Sequence, residues 1–217
     1  MIKNRTTQLI FQSFFCAIGL IGIVASLGIF DDVSNLRWDF YVHFTNLSNY
    51  LCIGIVLAQL VQTARKNSDS YVNTTPILKF IGVPAILLTF LVFNFLLAGR
   101  PDRDPQANWR VSSICFHVIL PVMYVLDWVL FYEHKKVKWF YPVVSVVFPV
   151  LYVIFVYVRA ALLNFNPSAP YIYPYFFLNI ETQGVSGVIK WVALLFVGFI
   201  ALGYIFYGID KIIKSKR

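Results

Sequence analysis

Apolar and polar positions alternate along this chain in long blocks rather than with the 3.6- or 2-residue period of a water-soluble core. Six predominantly apolar blocks are each about 20 residues long, enough at about 1.5 Å per residue to cross a bilayer. They lie at Leu9–Phe30, Phe44–Ala64, Leu78–Ala98, Ser112–Tyr132, Pro142–Leu162 and Gly187–Gly208. The pattern predicts an all-α, six-helix membrane protein with residues 1–217 as a single transmembrane domain. The first block follows Lys3 and Arg5, as a signal peptide would. It is about 22 residues long, beyond the usual 7–15 of a signal-peptide core, and no small-x-small cleavage site follows it. A retained first helix is therefore expected.

Composition narrows the classes further. Of 217 residues, 59% are hydrophobic and 13% charged, about half the charged share of a typical soluble domain, and the mean hydropathy is +0.71. The 21 Phe, 13 Tyr and 5 Trp are too apolar for a disordered chain. A net charge of +8 could point to nucleic acid, but the basic residues sit in short runs between apolar blocks, with no basic face or binding motif. The positive-inside rule accounts for them instead, and no nucleic-acid partner is expected.

Lys and Arg alternate from side to side very unevenly. Lys3, Arg5, Arg65, Lys66, Lys79, Lys135, Lys136, Lys138, Lys211, Lys214, Lys216 and Arg217 fall on one side, and Arg37, Arg100, Arg103 and Arg110 on the other. That asymmetry predicts a multi-pass plasma-membrane protein with both termini cytoplasmic. The long segment between the last two spans, residues 163–186, then lies outside. It carries Pro167, Pro170 and Pro174 with Tyr171, Tyr173, Tyr175, Phe176 and Phe177, and reads either as a cap over the outer mouth or as an interfacial anchor.

With the orientation set, polar residues of several spans converge at one depth. His43, Thr45, Asn46, Ser48 and Asn49 occupy the outer turns of the second span, Asn94 and Arg100 the exit of the third, and Ser112, Ser113 and His117 the entry of the fourth. Arg159 closes the fifth span, and Glu181 and Lys190 begin the sixth. Intramembrane polar and ionisable groups are costly and mark sites by default, although Ser, Thr and Asn also serve as interhelical ties. The convergence predicts an outward-facing polar cavity. The opposite third offers chiefly Asp127, for which Lys79 is the expected partner.

Three histidines and the cysteines Cys16, Cys52 and Cys115 make a poor ligand set, so no metal and no cofactor are expected. A hydroxyl nucleophile with a histidine base is compatible with the depths: Thr45 as nucleophile and His117 as base, with His43 turned about 200° away from Thr45 on the same helix. Asn49, Asn94, Arg159 and Lys190 are the candidate substrate-binding and oxyanion donors. The same cluster could instead hold the head group of an amphiphile that is bound or transported without chemistry. A membrane lipid or amphiphilic small molecule is the expected partner under either reading, and oligomeric state is not readable.

The residues of this cluster also carry a resemblance. Phe44-Thr45-Asn46-Leu47-Ser48-Asn49 resembles the FTxxSN motif of the bacterial Pr-six-Pr membrane proteins, an uncharacterised six-pass family. So do His117-x-x-x-Pro121 with Asp127-Trp128, Pro149-x-x-Tyr152 with Arg159 seven residues on, and Tyr173-Pro174-Tyr175. Phe176, Ala160 and Asn179 depart from the residues usual there. That family is similar, more distantly, to the eukaryotic androgen-induced and androgen-dependent proteins, intramembrane threonine hydrolases of fatty-acid esters of hydroxy fatty acids. The resemblance implies a lipid-ester hydrolase with Thr45 as nucleophile and His117 as its base.

Overall fold

The computed structural model describes residues 2, 4–30, 36–37, 39–65, 76–101, 104–169 and 171–213. Lys3, Lys66, Arg103, Lys214, Lys216 and Arg217 of the charge pattern, and Pro170 of the aromatic segment, lie outside the described residues. Among those described there is no strand. Six helices are long and apolar enough to cross a membrane: α1 (Arg5–Ser26), α2 (Phe44–Arg65), α3 (Pro76–Leu97), α4 (Val111–Phe131), α5 (Tyr141–Leu162) and α6 (Ile180–Ile212). The all-α, six-pass architecture expected from the sequence is the one observed.

The helices run up and down. Arg5 at the start of α1 donates to the carbonyls of Thr63 and Ala64 at the end of α2 (2.9 and 3.0 Å), and the Ile2 N–H reaches Leu130 O at the end of α4. At the other end, Tyr152 of α5 donates to Val42 O just before α2 (3.1 Å). The bundle therefore has a terminal end, where α1 begins and α6 finishes, and a distal end.

Helix limits follow capping more closely than hydropathy. Asn4 caps α1 by accepting from the Thr7 N–H (3.0 Å), so this helix starts four residues before the apolar block. It ends at Ser26 because Gly28 turns into the left-handed region at φ +82°, where its N–H reaches back to Ala25 O. Asn179 caps α6 through the Glu181 and Thr182 N–H groups, starting it seven residues ahead of its apolar block. Gly184, at φ 64° and ψ 163°, kinks that helix after its first turn. In α5, Pro149 has no N–H for the Ser145 carbonyl, which takes Phe148 N–H at 3.3 Å instead, and the helix is interrupted at Ser145–Val146.

The exterior is apolar, with Phe95 81% exposed and Phe14, Leu194 and Val197 all above 60%. In water such a surface would aggregate; against lipid tails it is the matching solvent. Polar groups lie inside. Lys79 and Asp127, each 1% exposed, form an ion pair between α3 and α4, and Gln12 of α1 donates to the other Asp127 oxygen at 3.1 Å. This is the partner expected for Asp127. Gln8, Gln12, Gln59 and Thr63 are also buried in this half, where hydropathy singles out chiefly Asp127. Close helix approach comes from glycine at Gly203, where a Cβ would fall 2.9 Å from Pro142 Cβ, so α6 lies directly on the start of α5.

The segment before α6 folds back over the distal end. Tyr157 donates to Leu178 O (2.8 Å) and Arg159 to Tyr171 O (2.9 Å), and Ile172, Tyr175, Phe177 and Leu178 are buried. The second part of the segment, residues 172–178, packs on the bundle as a cap, while residues 163–168 are exposed.

Candidate functional site

A widened turn in α4 organises the distal end. Residues Cys115–Ile119 form a π-helical turn in which the Leu120 N–H bonds to Cys115 O, and Pro121 supplies no N–H at all. Two consecutive carbonyls are thereby opened to side chains. Asn49 of α2 donates to Phe116 O (3.0 Å), and Asn94 of α3 to His117 O (3.2 Å). A second π-helical turn, Phe93–Leu97 in α3, faces the first, and the Phe93 ring stacks on His117 with centroids 3.5 Å apart and planes within 11°. The spacing His117-x-x-x-Pro121 thus has a physical meaning: the proline frees the histidine's own carbonyl.

The second N–H of each asparagine is also committed, Asn49 to Thr45 O (2.8 Å) and Asn94 to Phe90 O (2.8 Å). All four partners are carbonyls, which only accept, so both amides are oriented unambiguously. In this arrangement the two side chains tie helices together. The polar atom that Asn49 leaves over is its buried Oδ1, an acceptor.

Thr45 sits at the first turn of α2 and is buried. Its N–H and its Oγ1 are both 3.3 Å from the Tyr175 hydroxyl of the cap. Because the Tyr175 oxygen accepts from the Thr45 amide, its proton can go to Thr45 Oγ1 or to a carbonyl arriving there. Thr45 lines an apolar cavity of about 60 Å³ between α2, α3, α5, α6 and the cap, whose other walls include Thr89, Phe93, Tyr152, Tyr175 and Leu178. Ser48 and Thr89 share a hydrogen bond beside it (2.8 Å).

His117 lines a different cavity, of about 160 Å³ and polar, together with Arg37, Asp39, His43, Arg110 and Ser113 among others. The His117 Nδ1 lies 2.9 Å from Ser113 O and 3.1 Å from Ser113 Oγ. A carbonyl cannot donate, so in the neutral ring Nδ1 carries the proton and Nε2 carries the lone pair. Phe93 separates the two spaces, lining the apolar cavity with the ring that stacks on His117.

The remaining residues singled out from the sequence are placed elsewhere. Arg159 holds the cap through Tyr171 O and lines neither cavity, and Lys190 is exposed on α6 and likewise lines neither. In the sequence Tyr175 is one aromatic of the loop among several; its approach to Thr45, 130 residues away, has no local sequence signal. In the sequence Arg37 and Arg110 stand out as loop charges alone. Among the described residues no three His, Cys, Asp or Glu side chains come together as metal ligands.

Comparison with known protein families, with curated proteins and with solved structures finds no match.

Proposed function

We propose that this six-pass protein is an intramembrane hydrolase of lipid acyl esters, with Thr45 as nucleophile and His117 as general base. The observation that carries the reading is the tie made by Asn49. One amide nitrogen joins the backbone of Thr45 to the backbone of Phe116, the residue before His117, and so holds nucleophile and base on neighbouring turns of two helices. The lipid's acyl chain would occupy the apolar cavity with its carbonyl at Thr45, where the Tyr175 hydroxyl offers a donor to a developing oxyanion.

In this scheme Thr45 Oγ adds to the ester carbon while its proton passes to His117 Nε2, which the Ser113 carbonyl leaves as the basic nitrogen. The imidazolium returns that proton to the departing alkoxide. Water then attacks the threonyl ester with the same base, releasing the fatty acid and restoring the hydroxyl. The Phe93 ring must turn aside for the imidazole to face Thr45. The motif resemblance to the Pr-six-Pr proteins and, through them, to threonine hydrolases points to the same two residues. The distal end would face outward at the plasma membrane, by the charge asymmetry.

A second reading is favoured by the partner that Thr45 has: its hydroxyl meets Tyr175, and the two cavities are separate. Under it the protein binds or carries an amphiphile without cleaving it. Purified protein given a fluorogenic long-chain acyl ester distinguishes the two. The hydrolase reading expects turnover that falls by at least about 100-fold in Thr45→Ala and in His117→Ala, each with an unchanged melting temperature. Absence of wild-type turnover, with a fluorescent fatty acid bound equally by wild type and Thr45→Ala, would establish the binding reading in its place.

A further inference from the structure

The polar cavity holds more than His117 requires. Its walls come from the end of α1, the connection into α2, the start of α4 and the cap, and they bring Arg37 together with Arg110 from far along the chain. Among the described residues Asp39 is the one carboxylate on the wall, set against the two guanidinium groups. His43 and His117 add imidazoles, and Ser112, Ser113 and Asn46 add further hydrogen-bonding groups. Arg100, also on the distal side, stacks over Phe176, 4.1 Å from the ring centroid.

Arg37 is held in place by local structure. Its N–H donates to Leu27 O at the end of α1 (2.9 Å). Its stem lies on Gly28, where a Cβ would come within 3.4 Å of Arg37 Cγ and would be strained at φ +82°. Phe40 and Phe116 form the apolar part of the wall, and low polarity beside a charged group strengthens its attraction for a counter-ion.

We propose that this cavity binds a phosphate group, gripped between Arg37 and Arg110. Two guanidinium forks and the serine hydroxyls offer more donors than the two oxygens of a carboxylate can use. They suit the three or four oxygens of a tetrahedral phosphate, with which arginine pairs bidentately. About 160 Å³ is room for a group of several non-hydrogen atoms, whereas a single water needs only about 10–15 Å³. The ligand is either inorganic phosphate or the phosphomonoester head of an anionic lipid. The inference goes beyond the hydrolase reading, since it needs no chemistry at Thr45.

The test is binding, with no ester present. Full-length protein in neutral detergent is titrated with inorganic phosphate, and protein in nanodiscs is compared in phosphatidylcholine with and without phosphatidic acid. Wild type is expected to gain thermal stability with phosphate, with phosphatidic acid, or with both. Response to phosphatidic acid alone identifies a lipid head group, and response to phosphate alone a soluble anion. Arg110→Gln and Arg37→Gln should each weaken the response by about tenfold or more, and Arg37→Lys less than Arg37→Gln. Arg110 is exposed, so its variant keeps the test decisive if Arg37→Gln fails to fold. No wild-type response to either probe overturns the proposal, as does an undiminished response in folded Arg110→Gln. Loss of ester turnover with phosphate binding intact would count against the hydrolase reading alone.

Discussion

Asn49 donates a hydrogen bond to the carbonyl of Phe116 at 3.0 Å, across the boundary between α2 and α4. That carbonyl lies in the π-helical turn before Pro121, and Asn49 is fully buried. Removing the amide would strand a carbonyl where no water competes, a cost of about 1–3 kcal/mol. Asn49→Ala should therefore lower thermal stability by about that amount. Asn49→Asp, although closer in size, should be worse, because a carboxylate would face two carbonyls with no proton to give. Asn94→Ala should be milder, since Asn94 is exposed. Melting curves in one detergent rank the three; Asp tolerated better than Ala at position 49 would overturn the assignment of this residue as a donor.

The Lys79–Asp127 pair makes an opposite test. Each group is 1% exposed, so removing one partner leaves the other charged and buried, which typically costs about 3–5 kcal/mol. Lys79→Met and Asp127→Leu should each sharply reduce folded yield. The double variant should recover a large part of the loss, because neither charge then remains and only the Gln12 amide loses its partner. Melting temperatures of the four proteins form the cycle. A double variant as unstable as the sum of the singles would show that the two residues act independently.

The charge asymmetry makes a prediction about sidedness. Lys136 belongs to the terminal-end loop and Ser168 to the distal cap. In a protein whose native cysteines have been replaced, a cysteine at 168 should react with an impermeant maleimide on intact cells, and one at 136 only after permeabilisation. Labelling of 136 but not 168 on intact cells would invert the orientation, and both candidate cavities would then face the cytoplasm.

Hydropathy alone is enough to place the six spans, because a bilayer demands about 20 apolar residues wherever a helix crosses it. The middle four helices agree with the apolar blocks to within two residues at either end. Larger differences fall at both ends of α1 and α6; those at the starts are made by Asn4 and Asn179, whose side chains cap helices that begin in polar sequence. The Lys79–Asp127 pairing was also within reach of the sequence, since a buried charge needs a partner at its own depth and few exist. What the sequence alone could not decide is which neighbour each polar group meets. Thr45 and His117 share a depth, yet depth says nothing of azimuth, and only the packing of α2, α3 and α4 sets Phe93 between their cavities. Tyr175 on Thr45 and the convergence of Arg37 with Arg110 likewise come from segments far apart in the chain. Span location is a local transfer energy, summed residue by residue. A site depends on rotations of whole helices against one another, and these are fixed by contacts with no local trace.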